Sequence, residues 1–150
     1  MYDFKGVDSE FKGFEFSITK RLLFDNFSLA PTLLYDQVIG KRKNLSDHLP
    51  RLTPKRISLL ATISGKKWFI RPEFRYVYSG SKGLGETTKT KGYKMFNLYS
   101  QYQFGNDWII FLRGNNLTNE LAYSATTVEE IRYFNPLPGR SALLGLKKYF

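Results

Sequence analysis

The chain has 150 residues, 42% hydrophobic and 24% charged, with an aromatic share of 17% and a formal net charge of +10. It has no cysteine, which excludes a disulfide framework and a thiolate metal site, and no apolar run approaches the roughly 18–20 residues that a spanning helix needs. So basic a balance points to a polyanionic partner, either nucleic acid or an anionic membrane surface.

The opening "MYDFKGVDSEFKGFEF" has no basic stretch followed by an apolar core, so it does not read as a secretory signal peptide. The expectation is a cytoplasmic protein or a piece of a longer precursor. From there on the dominant period is two, the period of a strand. Phe14, Phe16 and Ile18 oppose Glu15, Ser17 and Thr19, and then Phe27, Leu29, Leu33 and Tyr35 oppose Asn26, Ser28, Thr32 and Asp36. Ile57, Leu59, Ala61 and Ile63 stand against Arg56, Ser58, Thr62 and Ser64. In "KWFIRPEFRYVYS" the greasy side is Trp68, Ile70, Pro72, Phe74, Tyr76 and Tyr78, and the polar side carries Lys67, Arg71, Glu73, Arg75 and Ser79. Phe96, Leu98, Tyr102 and Phe104 oppose Asn97, Gln101 and Gln103. "DWIIFLRGNNL" is apolar on both sides until Arg113, and the closing "ALLGLKKYF" completes a set of about seven strands. Pro31 and Pro72 fall in strand interiors, where each removes a ladder hydrogen bond, so local bulges are expected there.

The strands are about 10–13 residues long, beyond the usual 5 or 6 of globular sheets and close to the 9–11 of a tilted membrane-crossing strand. Their connections alternate: tight at "LFDN", "SGKK" and "GND", long over Val38–Pro54, Gly80–Gly92 and Thr118–Pro138. Outer-membrane barrels have this asymmetry, with short periplasmic turns, long extracellular loops and aromatic girdles at both interfaces. With the tight turns periplasmic, Phe24, Phe27, Trp68, Phe104, Trp108 and Phe150 fall at that end and Tyr35, Tyr76, Tyr78 and Tyr93 at the other. The fold class is therefore all-β, an antiparallel transmembrane β-barrel meander.

Asn116-Leu117-Thr118-Asn119-Glu120, followed by Pro138-Gly139-Arg140 and a last strand ending in Phe150, resembles the C-terminal end of TonB-dependent outer-membrane receptors. Gly13 and Glu15 are similar to that family's Gly-x-Glu strand, and "HLPRLTPKR" to its Leu-Pro-x-x-Pro segment. The resemblance runs through nearly all of the chain. Within the family it is most similar to the branch associated with zinc uptake, but Ala125 stands where that branch carries a histidine. A second departure is Lys148, at the position two before the terminal Phe where an aromatic is common; Tyr149 falls on the other face.

The resemblance implies that residues 1–150 are the C-terminal part of a barrel of about 22 strands, without the plug domain, the coupling box or the signal peptide. A free-standing set would leave two unpaired edges. The implied function is import, in the outer membrane of a Gram-negative bacterium, of a scarce metal or metal chelate (siderophore, haem or zinc). Energy would come from TonB acting through the plug. The implied partners are the outer membrane with its lipopolysaccharide, the plug and remaining strands, TonB, the metal-containing substrate, and the barrel-assembly machinery, which would read Leu144, Leu146 and Phe150. Nucleic acid is not among them, and no cofactor is expected. Arg71, Glu73, Arg75 and Arg113 should face the lumen, against the plug or simply hydrated.

Val38–Pro54 carries Lys41, Arg42, Lys43 and Arg51 against Asp47, and Gly80–Gly92 carries Lys82, Lys89 and Lys91 against Glu86; Thr118–Pro138 is acidic, with Glu120, Glu129 and Glu130 against Arg132. The basic loops suit lipopolysaccharide phosphates or an anionic metal chelate. His48, the single histidine, is a metal-ligand candidate or an ordinary loop residue, since metal sites need several converging ligands. No nucleophile with a placed base, paired buried carboxylates or phosphate loop is present, so an enzyme is not expected. Two other functions remain open: a small eight-stranded channel or structural barrel, and a soluble basic β-domain that binds nucleic acid through aromatics and lysines.

Overall fold

The computed structural model describes residues 6–43, 47–105 and 107–149. The strands are β1 (Ser9–Thr19), β2 (Leu22–Leu23), β3 (Ser28–Arg42), β4 (Arg56–Ser64), β5 (Trp68–Val77), β6 (Tyr93–Phe104), β7 (Trp108–Asn115) and β8 (Ser141–Lys148), with a single helical turn α1 (Glu129–Arg132) before the last. They form one sheet in the order β1-β3-β4-β5-β6-β7-β8, with β2 also on β3, and every pairing is antiparallel. Each strand lies beside the next long strand in sequence, the meander that period-two patterning and short turns dictate.

Register converts the alternation into two faces. One row across the sheet is Ile18, Leu33, Leu59, Phe74 and Phe96. The next row, on the opposite face, is Thr19, Thr32, Leu60, Glu73 and Asn97. Two further rows on the apolar face run Leu22, Leu29, Ile63, Ile70 and Trp68, Tyr102, Ile110, Leu146. Nothing covers that face: Phe14 is 62% exposed, Leu59 51% and Leu144 67%, and the buried hydrophobic residues among those described are Val77, Ala122 and Ala125 alone. A water-soluble sandwich would bury one face of each sheet against a second layer. A single layer with a continuous apolar face needs hydrocarbon beside it. Among the described residues, no helix is long and apolar enough to cross a membrane. The sheet does not close on itself either: β1 and β8 end it, unpaired with each other.

Both prolines depart from expectation. β1 and β2 are one strand interrupted: Thr19 pairs with Thr32 and Leu22 with Leu29, so equal numbers of residues lie between on both strands. Pro31 has no N–H to give, and the surviving bond of its pair is from the Lys20 N–H to the Pro31 carbonyl, at 3.2 Å. Pro72 likewise interrupts β4–β5 between the pairs Leu60–Glu73 and Ile63–Ile70 without changing register. A bulge needs an extra residue on one strand; here a bond is missing and no residue is added.

The strand ends also shift. β3 runs to Arg42, so Val38–Arg42, expected in a loop, is paired with Ser9–Gly13 of β1. β4 reaches only Asp36 on β3, and β1 supplies the partner beyond that point. Tight turns close the other end, with Phe24 N–H to Phe27 carbonyl at 2.9 Å and Gly65 N–H to Trp68 carbonyl at 2.9 Å, while Gly105 turns at a positive φ of 61°.

Candidate functional site: a cationic pocket beneath interlocked loops

Three segments, 47–55, 78–92 and 116–140, crowd together at one end of the sheet. The second packs on the first at Gly83, where a Cβ would stand 2.3 Å from the Pro50 Cα; only glycine lets the two backbones meet. Beside it the Leu84 N–H bonds the His48 carbonyl at 2.9 Å. The second and third segments are held by two carboxylates. Glu129 accepts from the Thr87 and Thr88 hydroxyls at 2.7 and 2.6 Å and from their backbone N–H groups at 2.7 and 2.8 Å. Those bonds, the Thr88 hydroxyl first, hold the Glu129 carboxyl down to about 2. Glu86 takes Arg132 Nη2 at 2.7 Å and the Gly83 N–H at 2.8 Å. Arg132 is 1% exposed; it also donates to the Thr127 carbonyl, while its Nη1 has no partner among the described residues.

The third segment is turned by the Asn-Leu motif itself. Asn116 is 2% exposed and adopts φ 46°, in the left-handed region that asparagine tolerates. Its N–H donates to Asn97 Oδ1 at 2.9 Å, its Nδ2 to the Glu120 and Pro138 carbonyls, and its Oδ1 accepts the Glu120 N–H. Asn119 follows at φ 54° and accepts the Arg140 N–H at 3.1 Å. Leu117 N–H bonds the Phe96 carbonyl. The motif residues, with Pro138, Gly139 and Arg140, thus form the corner where the chain leaves β7 and re-enters β8; Thr118 lies within that corner.

Under this roof lies a pocket of about 210 Å³ lined by Arg56, Arg75, Lys91, Tyr93, Tyr123 and Ser124, among others. Arg56 comes from the start of β4 and reaches Asp36 with its Nε. Arg75, on β5, gives Nη2 to Glu73 at 2.6 Å and keeps a buried Nε without an acceptor among the described residues. The lining residues include three cations, no carboxylate and three phenols, and one guanidinium N–H there has no acceptor among the described residues. Such a site takes an anionic group that accepts hydrogen bonds. Tyr93 was expected in the upper girdle, but register pairs it with Val77, opposite Arg56, which puts it on the polar face. The girdle assignment follows from Tyr93 lying at the loop end of its strand, whereas alternation puts it with Asn97, opposite the apolar set of Phe96, Leu98, Tyr102 and Phe104.

Arg71, Glu73, Arg75 and Arg113 share the polar face. Arg71 Nε donates to Thr62 at 3.1 Å, and Arg113 lies 5.5 Å from the Tyr99 ring centre. Glu73 faces Asn97, whose Nδ2 is 3.5 Å away. Only Arg75 of the four enters the pocket. His48 lines a neighbouring cavity with Gln37, Leu52 and Ser81, and Ala125 lines both cavities. Among the described residues, no three His, Cys, Asp or Glu side chains converge as a metal site would require. Leu144 and Leu146 are exposed on the apolar face; Phe150 lies outside the described residues. Arg56 was legible as a polar-face residue of its strand, but Lys91 and Tyr123 were missed because their neighbourhood depends on loop packing, which no periodicity encodes.

A family model described as "TonB dependent receptor-like, beta-barrel" matches residues 3–117. A solved structure described as "Copper transporter OprC" matches at a TM-score of 0.79 and 18% identity, covering 96% of this chain and 24% of that one. No curated protein matches. The chain thus spans about a quarter of the length of that solved structure.

Proposed function

The chain belongs to the TonB-dependent receptor β-barrel family, and we propose that it is a stretch of about seven strands of a larger barrel that imports a scarce metal or metal chelate. Receptors of this family are transporters rather than enzymes, and their barrels lie in the outer membrane of Gram-negative bacteria. In this reading the apolar face meets lipid, Arg71, Glu73, Arg75 and Arg113 face the lumen and the plug, and TonB supplies the energy through that plug. Strands outside this chain pair the free edges of β1 and β8. Leu144, Leu146 and Phe150 form the end that the assembly machinery reads, and the basic loops face lipopolysaccharide.

The observation that carries the substrate class is the cationic pocket. Arg75 Nε is buried with no acceptor among the described residues, and a polar donor left this way is costly unless a ligand supplies one. Arg56 and Arg75 already answer Asp36 and Glu73, so the net positive charge at the pocket comes from Lys91. A bare metal ion meets no carboxylate in the lining, whereas an anionic chelate, such as a carboxylate-bearing siderophore or haem propionate, would be held by Lys91 and the remaining guanidinium N–H of Arg75. The fold is shared with a copper transporter, and import of a metal in chelated form accommodates both observations. His48 is the position to test for a direct metal contact.

Uptake of radiolabelled chelates by cells carrying the full-length receptor tests this. Arg75→Gln should weaken binding of an anionic chelate by about tenfold, the loss of one charge-assisted hydrogen bond, and leave a neutral chelate unaffected. Equal loss for both would refute the pocket as the anion site. Uptake that persists without TonB would refute active import. His48→Ala with unchanged metal-limited growth would remove the metal role of that residue.

A further inference from the structure

Pro31, Ala61 and Pro72 stand side by side on β3, β4 and β5, with Lys20 of the β1–β2 strand opposite Pro31. This row of short side chains lies on the apolar face, between the row that runs from Ile18 to Phe96 and the row that runs from Leu22 to Ile70. Where the low row meets the tall one there is an open groove of about 510 Å³, walled by Ile18, Leu33, Leu59, Phe74 and Phe96 and floored by Pro31, Ala61 and Pro72, with Lys20 at the β1 end. Lys20 is exposed on a lipid-facing surface, and among the described residues no carboxylate pairs with it.

A lone ammonium on the hydrocarbon face is unfavourable unless it snorkels to the interface and meets a counter-charge there. Lys20 is four residues from Phe24, about 13 Å along the strand from the tight-turn end. That end is basic: Arg21, Lys66, Lys67, Lys147 and Lys148 stand against Asp25 and Asp107. We infer that the groove seats one acyl chain of an anionic glycerophospholipid of the periplasmic leaflet, with its phosphate against Lys20. The direction is set by charge: the cation sits at the groove's β1 end on the tight-turn side, whereas the far walls are Phe74 and Phe96. A lipid A chain would enter from the loop side and leave Lys20 unpaired. This inference rests on the reading of the apolar face as lipid-exposed.

The experiment uses the full-length receptor in nanodiscs of phosphatidylethanolamine with a minor share of phosphatidylglycerol, followed by detergent exchange and counting of retained lipids by native mass spectrometry. Wild type should retain phosphatidylglycerol; Lys20→Gln should retain about tenfold less; and Ala61→Phe, which fills the groove without touching the charge, should lose it as well. Heat-modifiable migration on gels checks that both variants are folded. Retention unchanged in Lys20→Gln, or unchanged in Ala61→Phe, overturns the site, and so does retention of lipid A in place of phosphatidylglycerol from mixed discs. A nitroxide at Ile70→Cys keeps the two ideas separable. Oxygen-accessible label with unaltered lipid retention defeats only this site, whereas a label that reports water defeats the lipid-facing assignment beneath it.

Discussion

The two ends of the sheet are finished by different physics. At the tight-turn end the chain reverses in a few residues, and the closures are aromatic: Phe24 stacks on Phe27 at 4.6 Å, Phe104 on Trp108 at 6.1 Å, and the Lys148 ammonium lies 5.2 Å from the Trp108 ring centre. At the loop end three long segments are tied by buried or shared polar groups: Arg132 with Glu86, Glu129 with Thr87 and Thr88, and Asn116 with Asn97, Glu120 and Pro138. Rings at an interface tolerate displacement, because stacking is broad and one side is already wet. A buried charge does not, since losing its partner leaves the full desolvation cost. The loop end is therefore ordered by a few residues whose loss is felt far more than that of any ring at the turns.

That contrast breaks first at Arg132. Replacing it with Ala leaves Glu86, 9% exposed at its side chain, without its cation, and breaking a buried pair costs about 3–5 kcal/mol. The expected result is rapid trypsin cleavage at Lys82, Lys89 or Lys91 while the strands stay protected. A double change of Arg132→Met with Glu86→Leu should recover much of the loss, because it removes both charges. Next comes Gly83→Ala, whose Cβ meets the Pro50 backbone; overpacking of this kind costs about 1–3 kcal/mol and should open the first loop to protease while Glu129 still holds the third. Smaller still is Phe24→Ala at the opposite end, at about 0.5–1.5 kcal/mol for a lost aromatic pair. It should lower the urea midpoint of the whole barrel slightly and leave loop cleavage unchanged.

Most of the wall is legible in the sequence, and for a definite reason. Side chains alternate strictly along a strand, so Phe74 and Arg75 declare opposite faces without any tertiary knowledge, and register then carries the assignment from β1 to β8. The prolines show where local rules overreach: the missing N–H of Pro31 and Pro72 is certain from the sequence, but whether the chain adds a residue in compensation is decided by neighbouring strands. The loop end is the least legible part. Arg132 and Glu86 are 46 residues apart, and neither belongs to a periodic segment. Asn116 was visible as part of a motif, but its four hydrogen bonds, to Asn97, Glu120 and Pro138, are not deducible from the motif's letters. The pocket inherits this: Arg75 could be placed on the polar face from alternation, whereas Lys91 and Tyr123 arrive only when the loops fold over it.

Acid separates the two ends without any substitution. The Glu129 carboxyl is held down to about 2 from an ordinary value of 4.5, so the carboxylate is favoured in the folded clasp. A depressed folded value means that its contribution is fully present above about pH 4.5 and is lost as the pH falls towards 2. The Phe24–Phe27 and Phe104–Trp108 pairs contain no titrating group. Lowering the pH from 5 to 2 should therefore lower the protection of the Thr87 and Thr88 amides, which donate to Glu129, measured as hydrogen exchange relative to the intrinsic rate at each pH, before it lowers that of the backbone bond between Phe24 and Phe27. Glu129→Gln should bring the lower protection to neutral pH and flatten the profile, because a neutral amide accepts these bonds more weakly than a carboxylate. If Thr87 and Thr88 exchange with the same pH profile in both proteins, the clasp does not depend on the carboxylate, and the third loop is held by Arg132 and Asn116 alone.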